Sequence, residues 1–134
     1  IAVSPRRFHC TLYCHLYEDN IQGEEVAFLR HLLRQIHGPI IALLDNGKIH
    51  RGEPVQAVLA RTRRLHLEPF PAYAPELNPD EGVWNQLKRR LANGRPDTKA
   101  ELMDVLGQEI CRLASSQQLL RGCIHQSGLS SFWP

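Results

Sequence analysis

Ile40-Ile41-Ala42-Leu43-Leu44 is apolar at five successive positions and stops at once in Asp45-Asn46-Gly47. Apolar residues on both parities fit a strand covered on both faces, as in a parallel or mixed sheet between helix layers. Upstream, Val26, Leu29, Leu32, Leu33 and Ile36 recur at helical spacing, and Gly38-Pro39 closes that pattern. Glu24-Glu25 near its start suit the positive end of a helix dipole. A helix over about 23–36 followed by a buried strand predicts an α/β fold. The Asp-Asn-Gly turn then falls at the carboxyl end of the strand, where open α/β sheets place their ligand sites.

With 134 residues, the chain is long enough for one domain with a real core and little more. No apolar run reaches membrane-spanning length, and the N-terminus has no basic-then-apolar signal pattern. A cytoplasmic protein with no membrane partner is expected. The net charge of +2 does not by itself argue for nucleic acid. Local clusters say more: Arg6-Arg7, Arg61 with Arg63-Arg64, and Lys88-Arg89-Arg90. They read equally well as solvated faces.

Ile1–Val3, a turn at Ser4-Pro5-Arg6-Arg7 and alternation from Phe8 to Leu16 predict a β-hairpin. Its core face would carry Cys10, Leu12, Cys14 and Leu16. A zinc site drawing on Cys10, Cys14 and His15 is the alternative for those cysteines. Glu18-Asp19-Asn20 reads as a loop. Pro54 starts a short helix through Val55, Val58 and Leu59, and Leu65–Glu68 reads as a short strand. The three prolines between Pro69 and Asn78 mark an irregular loop. Asn78 as N-cap, Pro79 as first helical residue and Glu81 as capping-box partner then open a helix to about Ala92. That helix is expected to bury Val83, Trp84, Leu87 and Leu91, with Gly94 as its stop. Thr98 and Glu101 form a second capping box before a helix through Leu102, Val105, Leu106, Ile110 and Leu113. Ser115-Ser116 breaks it, and a short helix through Leu119, Leu120, Cys123 and Ile124 follows. Residues 128–134 form a tail without pattern.

Two stretches carry the chemistry. Asp45 ends a buried strand, where a carboxylate is costly unless paired or bound to a cation. Turn formation accounts for Asn46-Gly47 but does not require Asp45. Glu81 sits at a helix start, where a capping role competes with a ligand role. Oxygen ligands suit Mg²⁺ and Mn²⁺, and two-metal phosphoryl chemistry needs several carboxylates around one phosphate. His50 follows Asp45 by five residues and can approach it. Lys88 lies two turns past Glu81, within reach of a phosphate backbone.

Leu44-Asp45-Asn46-Gly47-Lys48-Ile49-His50, followed by the long stretch from Pro71-Ala72-Tyr73-Ala74-Pro75-Glu76-Leu77-Asn78-Pro79 to Asp80-Glu81-Gly82-Val83-Trp84-Asn85-Gln86-Leu87-Lys88, strongly resembles the catalytic domain of mariner-like DDE transposases. Their bacterial insertion-sequence branch is the closest match. The resemblance extends weakly over most of the chain. It implies a ribonuclease-H-like fold, a mixed sheet flanked by helices, in one domain over 1–134. It implies that Asp45 is the family's second catalytic aspartate and Glu81 its third acid, holding two Mg²⁺ or Mn²⁺ ions in the complete site. It implies DNA strand cleavage and strand transfer on element ends and target. Asn46, His50, Asn78 and Trp84 would be supporting motif residues, and Lys88, Arg89 and Arg64 would be candidates for contacting DNA. Partners would be DNA, further copies of the chain, or full-length transposase.

One departure shapes the expectation. The family's first aspartate lies on the first strand of the fold, upstream of the hairpin, and Asp19 does not match its motif. The chain is therefore expected to be the C-terminal part of the domain, N-terminally truncated with the first strand missing. On that reading it is weak or inactive alone, and its sheet is rearranged or completed by another segment. The alternative is an inactive transposase remnant that binds DNA or the full-length enzyme.

Overall fold

The computed structural model describes residues 1–4, 9–16 and 21–128. The turn expected at Pro5–Arg7, the loop at 18–20 and the tail from Leu129 lie outside them. In chain order the elements are β1 (Ala2–Ser4), β2 (His9–Thr11), α1 (Ile21–Gln35), β3 (Ile40–Leu44), a 3₁₀ turn (Lys48–Arg51), α2 (Glu53–Ala60) and β4 (Leu65–Pro69). A second 3₁₀ turn (Pro75–Leu77), α3 (Asp80–Gly94), α4 (Lys99–Ala114) and α5 (Gln117–Gln126) complete the series. This mixed α/β architecture is consistent with a ribonuclease-H-like domain of the DDE type. The chain divides into two compact units, residues 15–74 and residues 1–14 with 75–134.

In the unit of residues 15–74, β3 and β4 pair in parallel, Ile40 opposite Leu65 through Leu44 opposite Pro69. A parallel pair needs a crossover, and α2 supplies it. Pro54 stands in the first turn of α2, where its missing N–H costs nothing. Val26 and Leu29 from α1, Val55 and Val58 from α2, and Ile40 and Leu65 from the strands form the core. Each such side chain contributes roughly 1.5–3 kcal/mol on burial. The expected cover on both faces of β3 is not found: Ile41 is 69% and Leu43 48% exposed. Both helices of this unit pack on the face of Ile40 and Leu65, so alternate residues of β3 are left open. The single mixed sheet is likewise replaced by two separate two-stranded pairs among the described residues, β1–β2 and β3–β4.

In the other unit, β1 and β2 form the expected antiparallel hairpin, with Val3 opposite Cys10. Its ladder ends at Ala2 opposite Thr11, so β2 stops there. Cys10 is buried, but Cys14 and Leu16 are exposed, contrary to the alternation read from the sequence. Gln117 on α5 fastens the hairpin: its Oε1 accepts from the Cys10 N–H at 2.9 Å and its Nε2 donates to the Cys10 carbonyl at 2.7 Å. Val83 and Leu87 of α3 pack with Leu113 of α4 and Cys123 of α5. Trp84, expected in that core, is 54% exposed. It falls one position round the helix from Val83, outside the stripe formed by Val83 and Leu87. Gly94 is still helical, and Arg95 takes the left-handed conformation at φ 40° that ends α3.

Candidate active site

Asp45 stands directly after β3, and the loop behind it is built to hold its carboxylate. Asp45 Oδ1 accepts from the Gly47 N–H at 2.9 Å and faces His50 Nε2 at 2.7 Å. The side chain is nevertheless 75% exposed. Gly47 is required by space rather than by backbone angle: a Cβ there would lie 2.8 Å from Asp45 Oδ1 and 3.4 Å from the His50 ring. Asn46 turns the other way. Its Nδ2 donates to the Phe70 carbonyl at 3.0 Å, just past β4, while the Phe70 N–H donates to the Leu44 carbonyl at 2.7 Å. Asn46 thus ties together the carboxyl ends of the two parallel strands from which Asp45 projects.

His50 lies on the 3₁₀ turn and is clamped on both sides. Its Nδ1 meets Glu25 Oε1 at 2.5 Å, and its side chain is 17% exposed. The Gly47 N–H first, then His50, hold the Asp45 carboxyl below the usual carboxylate range. Burial alone would lower the His50 pKa, but the hydrogen bonds to Glu25 and Asp45 together outweigh it and the net shift is upward. Two carboxylates on opposite ring nitrogens favour the imidazolium, which donates to both.

Glu25 is the residue that sequence reading missed. Its nearness to the helix start suggests a dipole role, yet it lies beyond the first turn of α1 and its side chain is 12% exposed. The available signal was its register: Glu25 is four residues before Leu29, on the apolar stripe of α1.

The second stretch lies in the other unit. Asn78 Oδ1 accepts from the Asp80 N–H at 3.0 Å, and the Glu81 N–H donates to the Asn78 carbonyl. The expected capping box does not close. Glu81 is exposed, and its carboxylate makes no hydrogen bond among the described residues. Behind it, Gly82 lets α5 come close, because a Cβ at Gly82 would meet Cys123 Cβ at 2.9 Å and Cα at 3.0 Å. The Thr98 box does form on its first arm, Thr98 Oγ1 accepting from the Glu101 N–H at 3.1 Å, while Glu101 Oε2 reaches the Asp97 N–H instead.

The basic residues separate into different roles. Arg89 and Arg90 of α3 and Arg112 of α4 line a cleft of 510 Å³ with Gln86, Asn93, Gln108 and Glu109. Glu109 is buried and grips Arg112 through both oxygens, at 2.9 and 2.5 Å, which holds its carboxyl below its usual range. Arg89 and Arg90 make no ion pair among the described residues. Lys88 is exposed on the same helix, seven residues past Glu81 and so on a similar face. Arg64 is different: its guanidinium donates to the carbonyls of Leu33, Ile36 and Gly38. It closes the C-terminal end of α1, so its guanidinium is engaged with the chain's own carbonyls.

Among the described residues there is no group of three His, Cys, Asp or Glu placed to hold a metal ion, the zinc alternative included. Burial pushes the Cys10 thiol up. No helix among the described residues is long and apolar enough to cross a membrane.

Residues 7–103, which include both acid-bearing stretches, match a family model described as DDE superfamily endonuclease. No curated protein and no solved structure matches the chain.

Proposed function

The chain belongs to the DDE superfamily endonucleases, and from that premise we propose that it serves DNA strand cleavage and strand transfer, as a cytoplasmic transposase of the mariner-like, bacterial insertion-sequence branch. The observation that carries this reading is Asp45: a carboxylate at the end of a parallel strand, fixed through one oxygen by Gly47 and His50, with its side chain open to solvent. Asp45 and Glu81 are read as two of the family's acids.

The donor chemistry fits hard divalent cations. Both groups are exposed carboxylates, and Glu81 is not used in helix capping. Asp45 and Glu81 would hold Mg²⁺ or Mn²⁺, two ions in a complete site. Bound there, the metal supplies activation of the attacking hydroxyl and stabilisation of the leaving oxygen. The protein's own part is orientation. Gly47 and His50 fix the direction of Asp45, Asn46 fixes the strand ends, and Asn78 holds the helix start that bears Glu81. Exposed Trp84, one turn along from Glu81, is a motif residue available to DNA rather than to the core. Lys88 and Arg89, joined by Arg90 and Arg112, would take backbone phosphates of element ends and target. Assembly with further copies of the chain or with full-length transposase belongs to the same reading.

Nicking and strand transfer on labelled DNA with Mg²⁺ or Mn²⁺ tests it. Metal-dependent products that vanish in Asp45→Asn and in Glu81→Gln are expected, from the chain alone or with a segment carrying the family's first aspartate supplied. Cleavage that survives Asp45→Ala overturns the site. Folded protein that binds DNA or full-length transposase and yields no products in either setting replaces the enzyme with an inactive, interfering remnant.

A further inference from the structure

The Glu25–His50–Asp45 chain reaches from inside the unit of residues 15–74 to its surface. Glu25 lies on the apolar stripe of α1, beside Val26 and four residues before Leu29, both of which are core residues. Its Oε1 meets His50 Nδ1 at 2.5 Å, while its Oε2 is buried and has no hydrogen-bond partner among the described residues. A half-satisfied carboxylate in that position costs stability compared with an apolar side chain of similar size. The helix dipole does not account for it, because Glu25 lies past the first turn. What Glu25 does have is one directed contact, made to a ring whose opposite nitrogen holds Asp45 Oδ1 at 2.7 Å.

We propose that Glu25 is a positioning residue: from α1 it fixes the plane and position of the His50 ring, and through that ring the direction of the Asp45 carboxylate. The imidazole is a rigid spacer, so its orientation is set once Nδ1 is anchored. A ring with only the exposed Asp45 as partner could swing with it. With Glu25 behind it, the ring becomes a fixed donor on one side of Asp45, and the Gly47 N–H is a second on the same oxygen. The other Asp45 oxygen is then presented in one direction. Outer partners of metal-ligating groups act in this way, and losing one typically costs about 10- to 100-fold in metal affinity. This inference rests on the reading of Asp45 as a metal-holding acid.

Two measurements on the full chain separate the inference from that reading. The first is long-range ¹⁵N–¹H correlation of the histidine rings, with His50 assigned by its disappearance in His50→Gln. In the native chain a slowly exchanging ring N–H at Nδ1 is expected. Glu25→Ala should lose it, whereas Glu25→Gln, which keeps an acceptor in the same place, should retain it in part. The second is Mn²⁺ binding followed by electron paramagnetic resonance. Asp45→Ala should abolish binding, Glu25→Ala should weaken it about 10- to 100-fold, and Glu25→Gln should fall between native and Glu25→Ala. If Glu25→Ala leaves the His50 signals and Mn²⁺ affinity unchanged while Asp45→Ala loses the metal, the positioning role is wrong and the site reading stands. If Asp45→Ala binds Mn²⁺ like the native chain, the site reading falls and the proposal with it. Glu25→Gln is close to isosteric, which keeps the test valid if Glu25→Ala unfolds.

Discussion

Gly47 shows how a single residue can be needed for reasons that its motif conceals. Asn-Gly is a common turn pair, and turn formation was the obvious reading of Asn46-Gly47. Yet Gly47 is not among the glycines with positive φ, and a Cβ there would collide with Asp45 Oδ1 at 2.8 Å. The atom it meets is the far end of an exposed side chain. Gly47→Ala should therefore cost little stability, about 1 kcal/mol or less, while pushing the carboxylate off His50. A thermal melt close to native, combined with a shift of the His50 Nε2 signal and loss of Mn²⁺ binding while the Nδ1 proton held by Glu25 remains, is the expected result. A variant that keeps the native Nε2 signal and Mn²⁺ binding would show that Asp45 has room to spare. The place of Asp45 at the end of β3 was legible because a carboxylate that ends an apolar run has few cheap explanations. Glu25 was not, because a glutamate near a helix start has a ready one. Only its place four residues before Leu29 distinguished it.

Elements were legible where periodicity set them and less so where partners did. α1, β3, α2, β4 and the three C-terminal helices fall where apolar spacing and breakers put them, because that spacing is fixed by local geometry. The cover on β3 was not legible. Apolarity at Ile41 and Leu43 records a tolerance for burial, and nothing local states which segment covers them. Trp84 failed similarly, since size and apolarity suggested core while the helix register places it outside the Val83–Leu87 stripe. At α3 the register also makes a prediction. Gly82 faces the Cα and Cβ of Cys123, which cannot move without shifting α5, so Gly82→Ala should destabilise the chain by about 1–3 kcal/mol in denaturant unfolding. It should also disturb Glu81 beside it. On α4, buried Glu109 has a folded-state pKa depressed by Arg112. Its contribution is therefore present above the unfolded value of about 4.3 and is lost as pH falls through the lower folded value. Stability should decline with acid below about pH 4.5, and Glu109→Gln should flatten that part of the curve. An equal acid slope in Glu109→Gln would assign the loss to other carboxylates.

For the whole molecule, a net charge of +2 is nearly silent, and distribution is what matters. Of the arginines marked as clusters in the sequence, Arg64 is tied to the carbonyls that end α1, whereas Arg89 and Arg90 stand in a cleft with Arg112 and make no ion pair among the described residues. Sequence alone could not tell these apart, because both occur in short basic runs. If the cleft takes backbone phosphates, each guanidinium there releases counterions on binding. Log affinity should then fall linearly with log salt, by about 0.9 per neutralised phosphate on duplex DNA. Arg89→Ala and Arg90→Ala should each reduce that slope by about 1 and weaken binding evenly across sequences. Arg112→Ala should do the same, and should also cost about 1–2 kcal/mol of stability by leaving buried Glu109 without its partner. Arg64→Ala should behave oppositely, lowering stability through the lost cap on α1 while leaving the salt slope unchanged. Fluorescence anisotropy on labelled duplex across a salt series distinguishes the two patterns. A slope that drops with Arg64→Ala and not with Arg89→Ala would move the DNA path from the α3–α4 cleft to the end of α1.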